Sequence, residues 1–323
     1  MATTTSLLHK LLRLTNFRSP LLRAVVPGVG AAFALQAAVG LPSVLARSER
    51  FFDASGSATF FAVTLLSLYL PGLRARAAAA AAASPQPLLS ILAAPHWRQI
   101  ALSAAVAAWS VRLGAYLFAR VLADGSDSRF DGLRDAPARF AGVWLAQAVW
   151  VSVCLGPVLL ANGVPAAAAA ATPPAAAAAY GLGLAVFAGG FALEVAADAQ
   201  KSRWRRRARD KRHDRPFLAE GLWSRSRYPN YFGECALWTG VAVAAASLLV
   251  PRPAQLGLGL TAPVAGRVAV LAAAAASPAF VAFLLLRVSG VPLSERKYDA
   301  RYGHRDDYRA WKQSTPKFFP KLF

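Results

Sequence analysis

The sequence contains few cysteines, few histidines and few acidic residues. Only 2 Cys and 4 His occur among 323 residues, and Cys154 and Cys235 both lie in apolar runs. This scarcity excludes a disulfide framework and a cysteine-based metal site, so we expect no bound metal. Charged residues make up 16% of the chain, whereas soluble domains carry about 25%. The composition therefore excludes an ordinary water-soluble globule.

The shortage of acids leaves a large positive charge. Lys and Arg number 36 against 16 Asp and Glu, which gives a formal net charge of +20. In a soluble domain such an excess indicates nucleic-acid binding. That function requires a polar exterior, but 56% of the residues are hydrophobic. We therefore exclude nucleic acid as a partner and expect membrane lipids instead.

Long apolar runs point to membrane spans. A hydrocarbon core about 30 Å thick requires about 20 apolar residues in a helix. Seven runs approach this length with few charges: 24–46, 58–73, 100–123, 140–164, 180–197, 231–250 and 265–286. The predicted fold class is all-α, a polytopic membrane bundle of about seven transmembrane helices with a short cytoplasmic C-terminal helical tail.

The distribution of basic residues predicts the orientation of these spans. If all seven runs cross the membrane, one face carries 25 Lys and Arg, whereas the other carries 9 and no Asp or Glu. The acid-free face comprises the amino-terminal segment, residues 74–99, 165–179 and 251–264, and Arg267. The positive-inside rule places the more basic face in the cytoplasm or its organellar equivalent.

The amino-terminal segment has two interpretations. The first 48 residues contain Lys10, Arg13, Arg18, Arg23 and Arg47 but no acid, with Ser and Thr concentrated at positions 3–6. This composition fits an organelle transit peptide, and it equally fits a basic flank of a first membrane helix. We therefore treat residues 1–23 as a basic extension and residues 24–99 as N-terminal membrane helices.

Ionisable residues in or beside spans are the first candidates for function, because inserting each costs about 2.5–3.5 kcal/mol. Arg112 and Tyr116 are four residues apart and share a helix face, which Arg120 extends. A second helix carries such a ladder at Glu194, Asp198, Lys201 and Arg205. Either the two sets line a polar cavity, or Glu194 or Asp198 pairs with Arg112 or Arg120. Glu234, in the sixth run, completes these candidates.

The segment 221–234, GLWSRSRYPNYFGE, combines a helix start with two cations. Pro229 suits the first turn of a helix, and Asn230 and Glu234 then lie one turn apart. A helix amino terminus preceded by Arg225 and Arg227 predicts a phosphate site. The aromatic and charged tail that starts at residue 295 is too polar to span, and composition alone favours a helix on the lipid surface.

The same segment resembles the GLW-x-x-SRHPNYFGE motif of the DUF1295 group, membrane proteins related to steroid 5α-reductases. Other signatures of the group recur in order within residues 112–120 (RLGAYLFAR), 197–201 (ADAQK) and 290–303 (GVPLSERKYDARYG). The resemblance covers residues 100–323, which we predict to be a steroid 5α-reductase-like domain. It implies a seven-helix bundle, an NADPH cavity open to the cytoplasm and a lipid or steroid-like substrate that enters from the bilayer.

The resemblance also implies roles for individual residues. It assigns catalysis to Tyr116, as a hydrogen-bond donor to a developing enolate, and to Glu234. The residues implied in NADPH binding are Arg112, Asp198, Lys201, Arg205, Arg225, Asn230, Tyr231, Tyr298 and Tyr302. The implied activity is NADPH-dependent reduction of a conjugated C=C bond, in the endoplasmic reticulum or an organelle membrane.

Two positions depart from the family pattern. Tyr228 stands where the broader group has His, and Trp109 stands where the steroid enzymes have a carbonyl-polarising Tyr. Their early acid has a counterpart here in Glu49 or Asp53. Two alternatives stay open: a membrane methyltransferase of the isoprenylcysteine or phospholipid type that uses S-adenosylmethionine, and a non-catalytic lipid-binding scaffold.

Overall fold

The computed structural model describes residues 10–82, 84, 87–125 and 127–321, and the regular structure in these ranges is helical. Residues 1–9 of the predicted basic extension lie outside the described residues. The helices are α1 Pro20–Leu45, α2 Phe52–Ala81, α3 Leu89–Ala93, α4 Trp97–Asp124, α5 Pro137–Gly163, α6 Ala166–Ala170, α7 Pro174–Arg209, α8 Leu222–Arg225, α9 Pro229–Leu249, α10 Arg252–Gly257, α11 Pro263–Phe283, α12 Val291–Tyr302 and α13 Asp306–Ser314.

Seven helical stretches among the described residues are long and apolar enough to cross a membrane. They are Pro20–Leu45, Phe52–Ala81, Trp97–Ala123, Pro137–Gly163, Pro174–Arg209, Pro229–Leu249 and Pro263–Tyr302. The last combines α11, the π-helical segment Leu284–Val288 and α12. The predicted all-α polytopic bundle is confirmed, and the protein is an integral membrane protein.

Helix starts follow local sequence signals. Ser19 Oγ accepts a hydrogen bond from Leu22 N at the start of α1, where Pro20 occupies the first turn. At the start of α4, the His96 side chain accepts from Arg98 N, and Gln99 Oε1 accepts from His96 N at 2.8 Å. These contacts satisfy backbone N–H groups that have no partner within the helix.

The chain divides into two compact units. The first comprises residues 1–181 and 243–276, so far as these are described, and there α1 packs mainly on α5 and α2 on α4. Buried polar pairs link these helices: Gln36 donates to Thr59 Oγ1 at 2.8 Å, and Asn162 Nδ2 donates to Ser67 Oγ at 2.9 Å and Ser103 Oγ at 3.0 Å. Both of these buried amides therefore have a hydroxyl partner on a neighbouring helix.

An ion-pair network joins the first turn of α2 to the end of α4 and to the loop that follows α4 in this unit. Arg120 Nη2 lies 3.1 Å from both Asp53 Oδ2 and Asp127 Oδ2, and Arg129 contacts the same two carboxylates at 2.8 and 2.7 Å. Arg120 therefore has carboxylate partners other than Glu194 and Asp198, the pair that the sequence suggested. Asp53, a candidate for the early acid, is held between two guanidinium groups.

The second unit comprises residues 182–242 and 277–323, so far as these are described. It contains most of α7, the start of α9, and the polar segment from α12 to Lys321. We call residues 291–321 the tail.

Candidate cofactor site

Glycines bring α7 and α9 into direct backbone contact in the second unit. A Cβ on Gly233 would lie 2.7 Å from Glu194 N, and one on Gly190 would lie 2.5 Å from Leu237 N. A Cβ on Gly240 would collide with the backbone of Phe187. No side chain fits at these positions, and small residues allow this close helix packing in membranes. The crossing places the polar end of α7 beside the first turn of α9.

The polar residues at this crossing are buried. Glu194 and Asp198 are 2% and 3% exposed, and Asn230 Nδ2 donates to Asp198 Oδ1 at 3.3 Å. The other amide atom, Asn230 Oδ1, is buried and accepts no hydrogen bond from the described residues. A buried acceptor without a donor is costly, so this oxygen suits an N–H or O–H group of a ligand.

The segment before α9 is attached to α7 by three features. Gly221 adopts φ 60°, and a Cβ there would lie 2.7 Å from Gln200 Oε1. The same Gln200 oxygen accepts from Leu222 N at 2.9 Å, and Trp223 Nε1 donates to Ala197 O at 3.1 Å. Glycine is needed because the positive φ and the close contact both disfavour a side chain.

The tail is hydrogen-bonded to this segment through its backbone. Arg227 N donates to Pro316 O, Ser226 Oγ donates to Phe318 O, and Lys321 N donates to Arg225 O, each at 2.9 Å. Residues 315–321 therefore run along the entry to α9. The predicted helical tail consists of α12, α13 and an extended end that is bonded to this segment. Its location on the lipid surface stays a prediction.

Glu295 is the centre of the polar contacts between the tail and the start of α9. Arg227 Nη1 donates to both Glu295 oxygens at 2.7 and 2.9 Å, and Tyr228 OH donates to Oε1 at 2.9 Å. Lys312 Nζ lies 2.9 Å from Oε2. Burial lowers the pKa of Lys312, but its hydrogen bonds to Asp299 and Glu295 outweigh this effect and raise the pKa overall.

This cluster gives a structural role to Arg227 and to Tyr228. The Arg227 side chain is 10% exposed and pairs with Glu295, so it anchors the tail, and its contact with a phosphate stays a prediction. Burial and the Glu295 carboxylate raise the pKa of Tyr228 above its ordinary value. Tyr228 therefore stays protonated at neutral pH and acts as a hydrogen-bond donor, where the family His would be able to titrate.

A cavity of about 40 Å³ lies between α7, the start of α9 and the tail. Five predicted residues line it: Lys201, Arg205, Asn230, Tyr231 and Tyr298. The other lining residues are Trp204, Leu218, Trp223, Arg227, Tyr228, Ser294, Glu295, Tyr308 and Trp311. Of these, the sequence suggested only Arg227, as a phosphate contact. Trp204 Nε1 is buried and donates to no acceptor among the described residues. The cavity thus combines cations, aromatic walls, a free donor and a free acceptor.

Residues 45–315 match the family described as protein of unknown function (DUF1295). This chain belongs to the DUF1295 family. No curated protein and no solved structure matches it. The DUF1295 match extends from the end of α1 through α13, so it contains every residue that lines the 40 Å³ cavity.

The remaining predicted residues of this DUF1295 protein lie outside the cavity lining. Asp198 is one hydrogen bond away through Asn230, and the Tyr302 ring packs against the Tyr298 ring at an angle of 48°, with ring centroids 5.7 Å apart. Arg225 is exposed, whereas Glu234 is half-buried on α9. Their roles in cofactor binding stay predictions.

Arg112 and Tyr116 belong to the first unit, on α4. The Arg112 guanidinium lies over the Tyr116 ring, 5.1 Å from its centroid, so their predicted common helix face is confirmed. Trp109, one turn earlier, is buried against Phe60 in an edge-to-face contact with ring centroids 5.1 Å apart. The role of Tyr116 in catalysis stays a prediction.

Metal binding has no structural support within the described ranges. No group of three or more His, Cys, Asp or Glu residues there is arranged to hold a metal ion. Cys154 is buried in α5, and Cys235 is half-buried in α9.

Proposed function

We propose that this DUF1295 protein is an integral membrane reductase that uses NADPH to reduce a conjugated C=C bond of a lipid or steroid-like substrate. The observation that carries the proposal is Asn230 Oδ1, a buried acceptor without a donor among the described residues, beside a cavity whose lining includes Lys201 and Arg205. A carboxamide or ribose hydroxyl would satisfy this oxygen, and phosphate groups would bind Lys201 and Arg205.

The charge of the cavity favours a cofactor that contains phosphate. Lys201 and Arg205 lie one turn apart on α7 and both line the cavity, whereas the neighbouring Arg206 is exposed. Only part of the Arg203–Arg209 run is therefore directed at the site. S-adenosylmethionine carries no phosphate for these two cations to bind, so the methyltransferase alternative ranks below the reductase.

The size of the cavity requires the tail to move. Its volume of about 40 Å³ is far below the roughly 300–1,000 Å³ of small-molecule sites. Side chains from α12 and α13, including Tyr298, Tyr308 and Trp311, occupy the space. NADPH binding therefore includes an outward displacement of the tail, and the contacts of Glu295 oppose it.

The residues of the chain bind and orient the cofactor, and NADPH, when bound, supplies the hydride. Lys201 and Arg205 hold phosphate groups, and Asn230, fixed by Asp198, orients the cofactor through its free carbonyl oxygen. Following the resemblance, Glu234 assists this orientation, and Tyr116 donates a hydrogen bond to the oxygen that becomes negative as the double bond is reduced.

Thermal unfolding of the detergent-purified protein with NADPH, NADH or S-adenosylmethionine tests the cofactor. A ligand at about 100 times its dissociation constant stabilises the folded state by about 2.7 kcal/mol, so we expect a clear rise with NADPH. Asn230→Ala should reduce this rise, because it removes the acceptor from the site. Thr239→Ala is the matched control: Thr239 is exposed on the same helix and bonds only within it, to Cys235 O.

Arg205 provides a test of the phosphate contact. Arg205→Gln should lower NADPH affinity by about tenfold, the loss expected for one charge-assisted hydrogen bond. Arg206→Gln removes the same charge from an exposed neighbour and should have little effect. Equal effects of the two arginine variants would exclude Arg205 as a direct ligand.

The thermal unfolding experiment also distinguishes the two alternatives. A rise in thermal stability with S-adenosylmethionine alone would support the methyltransferase. No change in stability with any of the three compounds would support the scaffold.

A further inference from the structure

The first unit contains a second, larger cavity that shares no residue with the cofactor site. It has a volume of about 500 Å³ and lies where α1 and α4 begin and α2 and α5 end. Its walls are largely apolar, with Leu66, Leu70 and Leu159 among them, but Arg23 and Arg74 also line it. The volume is within the range of about 300–1,000 Å³ that is typical of ligand sites.

The two guanidinium groups are held by neutral partners. Arg74 donates from Nη2 to Thr15 O at 2.7 Å and from Nη1 to Arg23 O at 3.2 Å, and Arg23 Nε donates to Phe17 O at 2.9 Å. Arg74 Nε is buried and has no hydrogen-bond partner among the described residues. Carbonyl oxygens fix the position of these side chains but leave both positive charges uncompensated.

The sequence offers no carboxylate that would neutralise these charges on this face. Asp and Glu are absent from residues 1–48, 54–123, 136–193 and 235–294, which include every segment that lines the cavity. Arg23 and Arg74 are half-buried, and charge near the hydrocarbon region is expensive, so such a pair in a membrane protein is a candidate site for an anionic group. A compensating charge would have to come from outside the chain.

We propose that Arg23 and Arg74 bind the phosphate group of an anionic lipid, whose acyl chains occupy the apolar part of this cavity. Arginine matches phosphate through charged, geometrically paired hydrogen bonds. A free phosphate ion offers the same charge but has nothing to bury against the leucine walls. This site shares no residue with the cofactor cavity, so the outcome of its test neither supports nor contradicts the proposed reductase activity.

Short-chain lipids test the site in the 323-residue chain. Thermal stability is measured in detergent with dioctanoyl phosphatidic acid, dioctanoyl phosphatidylcholine or inorganic phosphate. We expect phosphatidic acid to stabilise the protein, and Arg23→Gln/Arg74→Gln to weaken its binding by about tenfold or more, as loss of charge-assisted hydrogen bonds predicts. Arg13→Gln/Arg267→Gln, which removes two exposed charges of the same face outside the cavity lining, should bind normally.

The possible outcomes distinguish a lipid phosphate from a free phosphate ion, and they include results that contradict the proposal. Stabilisation by phosphatidic acid alone supports a lipid, and stabilisation by inorganic phosphate as well supports a phosphate site without a chain requirement. Equal effects of phosphatidic acid and phosphatidylcholine, or binding that survives in the cavity variant, overturn the proposal. If the double variant unfolds, Arg23→Gln alone serves, since its guanidinium bonds only to Phe17 O among the described contacts.

Discussion

Replacing Glu49 by glutamine is expected to destabilise the protein by about 3 kcal/mol near neutral pH. Arg134 donates to both Glu49 oxygens at 2.6 Å, and Asp127 N donates to Oε1 at 2.9 Å. The Glu49 side chain is 7% exposed. The contact with Arg134 lowers the pKa of Glu49 from 4.5 to about 2, although burial opposes the shift. A shift of this size corresponds to about 3 kcal/mol.

The sign of the pH dependence follows from the lowered pKa. The Glu49 carboxylate contributes its full stabilisation above pH 4.5, its value before folding, and loses it as the pH falls toward about 2. More than half of the difference between wild type and Glu49→Gln should therefore be gone at about pH 3. Denaturant titrations in detergent micelles at about pH 7 and about pH 3 measure both values.

Asp135→Asn is the control for this prediction. Asp135 pairs with Arg47 at 3.3 Å, but their side chains are 78% and 68% exposed, and such surface pairs contribute about 0–1 kcal/mol. A Glu49→Gln loss as small as that of the control would refute the argument. A loss that stays constant between the two pH values would show that the charge of Glu49 is not responsible.

Two further changes test the second unit. Gly233→Ala should destabilise the protein by about 1–3 kcal/mol through overpacking, because the added Cβ would lie 2.7 Å from Glu194 N. Gly189→Ala is its control. A Cβ on Gly189 would have no atom within 4 Å, so this change should be neutral or should stabilise the helix by roughly 0.5–1 kcal/mol. Glu295→Gln should release the tail and speed its cleavage by trypsin, whereas Asp306→Asn, whose side chain is 94% exposed, should not.

Each of these two predictions can be contradicted by a specific result. Equal melting temperatures for the Gly233 and Gly189 variants would show that α7 and α9 separate easily at their crossing. Unchanged trypsin cleavage in Glu295→Gln would show that the backbone contacts of residues 315–321 hold the tail without the carboxylate.

The number of spans was predictable from the sequence, but their ends were not. The run 58–73 corresponds to α2, which begins at Phe52 and continues to Ala81, and the run 180–197 corresponds to α7, which extends to Arg209. The length of an apolar run in the sequence indicates only the part of the helix that lies in the hydrocarbon core. The helix itself continues because Ala, Lys and Arg are good helix formers outside the membrane as well.

The site was predictable where it depended on helical periodicity. Lys201 and Arg205 are four residues apart, and both line the cavity. The contacts of the tail were not predictable, since Glu295 meets Arg227 only through the tertiary fold. The glycines at the crossing of α7 and α9 did leave a signal, because Gly183 and Gly190 are seven residues apart, as are Gly233 and Gly240.

The backbone bonds between residues 315–321 and the entry to α9 have a consequence for biosynthesis. Chain segments become available for folding from the N-terminus onward during synthesis, and α9 precedes the tail in the chain. The cofactor cavity therefore acquires its last wall after the surrounding helices have been inserted. Until then, the polar end of α7 and the entry to α9 face water, which gives the newly made protein an interval in which a large ligand has open access.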